Sequence, residues 1–492
     1  MVITMSKNKE ALQNVQYDRD FSRNLLFVIG FIVVVIAGIV IFSLQGGGRP
    51  NFGFDVAESR SADGILSIQE VTARNGVKAW LTEDHSVPVI VLKFAFKGAG
   101  SSIEASDKQG LVQLTSNTID EGGGDLDSIA YQNALQDRAI KLSFSATRDS
   151  FSGELKTLVA NKDRAFELLR LALTEPRFDE EPYERMRQAN LSRIRNSLAK
   201  PSWDLARLAY DTAFPEHPYG QNSGGTMTTL QTLTPGDSRE FVKDYLTLDR
   251  LYVSASGSIT PQELRKTLNS VFGSLPASGK DGPVISEVSA FPKMHVHHDR
   301  DIPQTLFQIW QKGIAREDDE NYYASIILAE ILGGGFGSRL MESVREEAGL
   351  TYGIYAYLNN FDFAQALVIG TSTSNNNAPD ILEKIRTELD IIKSDGVTEE
   401  EITEAVMYLT GSLPLKLTSN AQVARAILGL QLDGLPIDYL DRRQDRLKSV
   451  GVEDVQRVAE KLLDPDEFLL LTVGRPEGLE PDRIVEELPN VY

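Results

Sequence analysis

The chain has 492 residues, 41% hydrophobic and 24% charged, which is apolar enough for real cores and too long for a single one at about 100 to 200 residues per domain. A net charge of -20 and the absence of any clustered Lys and Arg exclude a phosphate-binding surface, and with it nucleic acid as a partner. With no cysteine, a disulfide framework, a thiol nucleophile and a thiolate zinc site are excluded as well.

Residues 1–24 form a polar tail of mixed charge. Leu25 to Leu44, LLFVIGFIVVVIAGIVIFSL, is twenty residues without a charge. As a helix rising 1.5 Å per residue it spans about 30 Å, the thickness of a bilayer core. A cleaved signal peptide would have a shorter apolar region ending at a small-residue site, so the segment is expected to be an uncleaved transmembrane helix. Lys7, Lys9, Arg19 and Arg23 precede it and only Arg49 and Arg60 follow closely. That bias predicts a cytoplasmic N-terminus, with the bulk of the chain in a bacterial periplasm and the helix in the inner membrane.

Residues 45–65 read as a linker rich in Gly, Ser and charge. Val77 to Thr82 and Val87 to Lys97 then read as strands, and Gly110 to Ile119 as a helix. Ile140 to Thr147 and Ser150 to Leu158 alternate as a hairpin around Arg148-Asp149, and helices follow at Lys162 to Leu173 and Glu181 to Leu198. The same order returns after a connector at 279–298. A strand at LFQIW is followed by helices at Tyr322 to Leu332 and Ser338 to Glu347, strands at Gly353 to Tyr357 and Ala364 to Thr373, and helices at Pro379 to Lys393 and Glu399 to Thr410. The stretch RFDEEPYERMRQANLSRI from Arg177 echoes GVTEEEITEAVMYLTGSL from Gly396, each with an N-capping Asp or Thr and acids in the first helical turn. The repeat predicts an α+β fold of two similar sandwich domains, 66–278 and 299–480, with a tail at 481–492.

Among the five histidines, only His295, His297 and His298 cluster. On a strand the first two share a face, but no third ligand at zinc spacing accompanies them, so a solvated strand is expected. His217 is expected to pack locally, and His85 to lie in a turn.

Five landmarks in order, GVKAWLTEDHSVPVIVLKFAFKGAGS, GLVQLTSNTIDEGG, EPRFDEEPYERMRQ, FPEHPYG and REEAGLTYGIYA, make the chain from Gly76 to about Glu480 resemble the pitrilysin/insulinase zinc peptidases, or inverzincins. The resemblance implies paired α+β domains enclosing a peptide-binding chamber. Active members carry His-x-x-Glu-His on the first helix, two histidines binding zinc and the glutamate serving as base. Here those positions fall on Gln113, Ser116 and Asn117, none of which replaces its counterpart. The place for the third, downstream ligand falls around Leu191, Ser192 and Arg193, again without a carboxylate. The resemblance therefore implies a chain that binds no zinc and hydrolyses no peptide alone.

Active members also use an Arg and a Tyr seven residues apart, supplied by the C-terminal half or by a partner, to hold the substrate backbone and stabilise the tetrahedral intermediate. Arg345 and Tyr352 match. Without that context they would read as a cation suiting the end of a helix whose Leu340, Met341 and Val344 face a core, ahead of a Gly349 C-cap. Gly333, Gly334 and Gly335 form a shorter version of a glycine-rich loop that helps to handle substrate in zinc-free subunits of heterodimeric members. Together these imply a membrane-anchored, zinc-free subunit that binds peptide beside a homologous zinc-bearing partner. The alternative is a structural pseudo-peptidase, similar to the zinc-free core proteins of respiratory complexes.

Overall fold

A computed structural model describes residues 64–492, Asn75 excepted. The expected transmembrane helix, its preceding tail and most of the linker lie outside the described residues, and among the described residues no helix is long and apolar enough to cross a membrane.

The first half contains strands β1 (Gln69–Thr72), β2 (Lys78–Glu83), β3 (Val89–Lys97), β4 (Lys141–Ala146), β5 (Ser150–Leu158) and β6 (Leu251–Gly257). Its helices are α1 (Leu111–Thr118), α2 (Ser128–Gln136), α3 (Lys162–Thr174), α4 (Glu180–Ser197), α5 (Pro201–Ala213), α6 (Thr229–Thr232), α7 (Pro235–Tyr245) and α8 (Pro261–Phe272). The second half contains β7 (Met294–Asp299), β8 (Gln304–Lys312), β9 (Ile354–Phe361), β10 (Ala364–Ser374), β11 (Leu469–Gly474) and β12 (Arg483–Ile484). Its helices are α9 (Asp319–Gly333), α10 (Ala378–Asp395), α11 (Glu399–Gly411), α12 (Asn420–Leu432), α13 (Tyr439–Lys448) and α14 (Val452–Leu462), with a π-helical turn at Met341–Glu347.

Two six-stranded mixed sheets result, ordered β1-β2-β6-β3-β5-β4 and β12-β7-β11-β8-β10-β9. The alternating segments pair as their period predicts: Phe144 lies opposite Gly153 in the β4–β5 hairpin, and Val368 opposite Tyr357 in the β9–β10 pair. On one face of the first sheet Ile90, Leu92, Phe94 and Phe96 are buried with Leu114, Leu168 and Phe272, and on the corresponding face of the second Phe307 and Ile309 are buried with Ile327, Leu328 and Ile385. The burial of such side chains, about 1.5 to 3 kcal/mol each, drives formation of each layer. The fold is α+β, as expected, and β7 begins inside the stretch read as connector and ends one residue beyond it.

The two halves exchange helices. Apolar residues of α5, Leu205, Leu208 and Ala209, pack on Val296, Trp310, Leu469 and Leu471 of the second sheet. In return α12 lies on the first sheet: Ser254 Oγ donates to the Ala424 carbonyl at 2.8 Å, Gln431 Nε2 to the Val253 carbonyl at 2.9 Å, and Lys97 Nζ to the Leu432 carbonyl at 2.7 Å. Arg300, just after β7, ion-pairs with the fully buried Asp204 of α5. The tail also crosses between halves, since Met227 N–H donates to the Val491 carbonyl at 2.8 Å. All described residues accordingly belong to one compact unit.

The echoed helix starts differ in detail. Thr398 caps α11 in a full capping box with Glu401. Asp179, expected to cap α4, accepts no cap hydrogen bond and instead pairs with Arg177 at 2.6 Å. A neighbouring guanidinium outcompetes a backbone N–H for this carboxylate.

Candidate functional site

Helices α1 and α4 lie side by side, and their seam is where the zinc motif would act. The entry to α1 is tightly made. Gly110 takes a left-handed conformation at φ 88°, and a Cβ there would approach Gly225 Cα to 2.6 Å, so no larger residue fits. The buried Glu104 accepts from Gly110 N–H at 2.9 Å and from Val112 N–H at 2.7 Å, satisfying the first amides of the helix. Burial pushes its carboxyl up to about 8, against the pull of those two N–H groups.

At the seam Gln113 Nε2 donates to Ser116 Oγ and to Asn117 Oδ1, both at 3.2 Å, and Ser116 Oγ donates to the Gln113 carbonyl at 2.8 Å. Asn117 Nδ2 then donates to Asn190 Oδ1 of α4 at 2.7 Å. The residue facing the motif is therefore Asn190, one place before the window Leu191, Ser192 and Arg193. Leu191 instead points into the core at 1% exposure. Helical phase explains the shift: only one position in each turn of α4 can face α1. The set does not fit zinc. Its members are neutral amides and a hydroxyl whose oxygens accept N–H groups from within the set, whereas the metal needs imidazole, thiolate or carboxylate. Among the described residues no three His, Cys, Asp or Glu side chains are grouped to hold a metal.

Arg345 and Tyr352 are positioned by the second half. Leu340, Met341 and Val344 are buried beneath the π-helical turn, leaving Arg345 with a side chain 33% exposed. Gly349, at φ 63°, ends the turn, with Gly349 N–H bonded to the Arg345 carbonyl at 3.1 Å and Leu350 N–H to the Val344 carbonyl at 3.0 Å. The next residues are pinned through Thr351. Its hydroxyl donates to the Ser372 carbonyl at 2.7 Å and accepts from Gly353 N–H at 3.1 Å. Tyr352, between these anchors, is 91% exposed, and its hydroxyl has no hydrogen bond among the described residues. Arg345 lies 5.4 Å from the Phe336 ring centroid and 3.5 Å from Glu346.

The glycine run is not uniform. Gly333 is the buried last residue of α9, where a Cβ would overlap Ala356 of β9, so its smallness serves helix–sheet packing. Gly334 is exposed and Gly335 half-buried, and they lead to Phe336, which is 78% exposed.

The histidines are occupied internally. His295 Nε2 and His297 Nδ1 both reach Thr472 Oγ1 on the neighbouring strand β11, at 2.7 and 2.9 Å, and His297 is buried, so this is not the solvated strand expected. His298 Nδ1 bonds the Val485 carbonyl at 2.8 Å. His217 Nδ1 accepts from Tyr219 N–H at 3.1 Å, which leaves Nε2–H to donate to the Ser286 carbonyl at 3.0 Å and fixes a neutral tautomer. His85 bonds Ser258 Oγ at 2.9 Å.

Residues 232–409 match the peptidase M16 inactive domain, the family of the pitrilysins and insulinases. The chain is a relative of the M16 peptidases. It is 25% identical to the "Uncharacterized zinc protease YmxG" of Bacillus subtilis over 84% of this chain and 100% of that one. It is 23% identical to the "Non-peptidase homolog YmxG" of Helicobacter pylori, over 79% of this chain and 90% of that one. The peptidase M16 inactive domain from Pseudomonas fluorescens shares its fold at a TM-score of 0.78 and 23% identity, covering 85% of this chain and all of that one. Peptidase and non-peptidase names thus both occur among its relatives, and at the α1–α4 seam this chain carries amides and a hydroxyl at the zinc-motif positions.

Proposed function

We propose that this chain is the membrane-anchored, zinc-free subunit of a two-chain M16 peptidase, holding an extended peptide and presenting Arg345 and Tyr352 to a homologous partner that carries His-x-x-Glu-His and the zinc. The observation that carries the reading is the exposure of Tyr352. The phenol is 91% exposed on a turn pinned at both neighbouring residues, and it has no hydrogen bond among the described residues. Aimed at a developing oxyanion in a water-excluded interface, a phenol O–H and a guanidinium stabilise charge far more than they would in water. Alone, the chain has no base and no metal ligands at the α1–α4 seam, so it is not a peptidase by itself. Co-expression with a His-x-x-Glu-His homologue, followed by a peptide cleavage assay with wild type and Arg345→Ala, tests the reading. Undiminished cleavage by the mutant complex would refute it.

The anchor, Leu25 to Leu44, belongs to the same proposal, with the folded part in the periplasm. A reporter fused to the C-terminus that is active only outside the cytoplasm should be active. A second reading, a structural pseudo-peptidase in a membrane assembly, is favoured by the non-peptidase name of the Helicobacter pylori relative. Stable membership in an assembly without a zinc-bearing partner would select it.

A further inference from the structure

The internal repeat has a consequence for the second half. In the first, the seam between α1 and α4 is closed by the chain of amides Gln113, Asn117 and Asn190. In the second, the corresponding helices are α9, which follows β8 as α1 follows β3, and α11, which begins the echoed GVTEEE segment as α4 begins RFDEEP. Their seam is open. It holds a cavity of about 380 Å³ whose lining includes Glu330, Phe336, Glu404 and Tyr408. Phe336 and Tyr408 are 78% and 56% exposed, unusual for rings on a soluble surface. Glu401, on the same wall, is already held by Arg339, Nε to Oε1 at 2.6 Å. Glu330 is different: it is half-buried and has no ion pair or hydrogen bond from its carboxylate among the described residues. Burial raises its pKa, and the field of Lys416 opposes that rise only in part. Glycine at 334 is what lets this carboxylate fold back along the helix end, because a Cβ there would overlap it.

We infer that this pocket is a subsite for one cationic side chain, lysine or arginine, of an extended peptide, with Glu330 and Glu404 supplying the counter-charge and Phe336 and Tyr408 the ring faces. A guanidinium between aromatic rings and carboxylates gains cation–π and charge-assisted hydrogen-bond contacts together. The subsite deepens the proposed function, on which it rests: Phe336 at its rim is the ring that Arg345 lies against, so a peptide held there passes the residues proposed to face the scissile bond.

The test needs no partner. A fluorescein-labelled octapeptide of Ala and Gly with one central arginine is titrated against the full chain in mild detergent by fluorescence anisotropy, alongside the same peptide carrying citrulline, the uncharged isostere. Citrulline and Glu330→Gln should each weaken binding at least tenfold, Tyr408→Ala severalfold, and Glu453→Gln, on a different face, not at all. Equal binding of the two peptides overturns the subsite. So does a loss in Glu453→Gln as large as in Glu330→Gln, which would show attraction to the net charge of -20 alone. Failure here with activity of the two-chain complex still dependent on Arg345 would remove the subsite and leave the proposed function standing.

Discussion

Asn117 Nδ2 lies 2.7 Å from Asn190 Oδ1, joining α1 to α4 across the seam where an M16 peptidase would hold its metal. Asn190 accepts through Oδ1 only, and its Nδ2 is buried without a hydrogen-bond partner among the described residues. The pair is therefore a bridge between two helices whose polar valences are incompletely met.

That geometry predicts which position completes a grafted metal site. Gln113→His, Ser116→Glu and Asn117→His combined with Asn190→Glu should bind zinc at least tenfold more tightly than the same triple combined with Leu191→Glu. In the latter the new carboxylate is directed into the core. Competition with a chromophoric chelator measures both, and equal affinities would show that α4 is wrongly phased here.

Substitutions at the exposed pair should separate activity from stability. In a complex with a zinc-bearing partner, Arg345→Ala and Tyr352→Phe should each lower kcat by about 10²- to 10³-fold, the cost of removing one donor to an oxyanion. The urea midpoint of the chain alone should barely move for Tyr352→Phe, because surface changes stay within about 0.5 kcal/mol. A large fall in stability would instead assign the tyrosine a structural role.

Glu104→Gln removes an acceptor from the entry to α1, since one of its two atoms becomes an N–H facing Gly110 or Val112. A cost of about 1 to 3 kcal/mol is expected for the unsatisfied buried group, read by urea unfolding at pH 5. The native carboxyl is pushed up from 4.5 to about 8. Its linked stability is full below about 4.5 and lost as pH rises through about 8. The difference between wild type and variant should narrow over that rise.

Histidine 217 has the opposite sign. Burial holds it below the usual 6.5, so the fold favours the neutral ring and the unfolded chain takes up the proton first. Its contribution is full above about 6.5 and lost as pH falls through the lower native value. The stability gap between wild type and His217→Gln should therefore shrink from pH 7 to pH 5 in parallel urea titrations. A gap independent of pH would mean that the imidazole titrates alike in both states.

Much of the molecule is set by signals only a few residues long. Alternation of period two marks β4 and β5 and their Arg148-Asp149 turn. Thr398 and Glu401, three apart, determine the start of α11, and Gly349 the end of the turn bearing Arg345. The loss of every zinc-motif side chain is a matter of residue identity alone, as is the seven-residue spacing of Arg345 and Tyr352. The tertiary structure decided what depends on which distant surfaces meet. Asn190 faces Asn117 from 73 positions away, and which residue of α4 does so depends on helix rotation that no local pattern encodes. Gly333 looks like part of a loop until β9 is seen packed on it. The exchange of α5 and α12 was equally hidden, because an amphipathic helix specifies that one face will be covered and says nothing of which sheet will cover it. The cavity along the α9–α11 seam, where amides bridge the α1–α4 seam, follows from the same fact: the repeat is legible in the chain, but what lines each copy is settled only by packing.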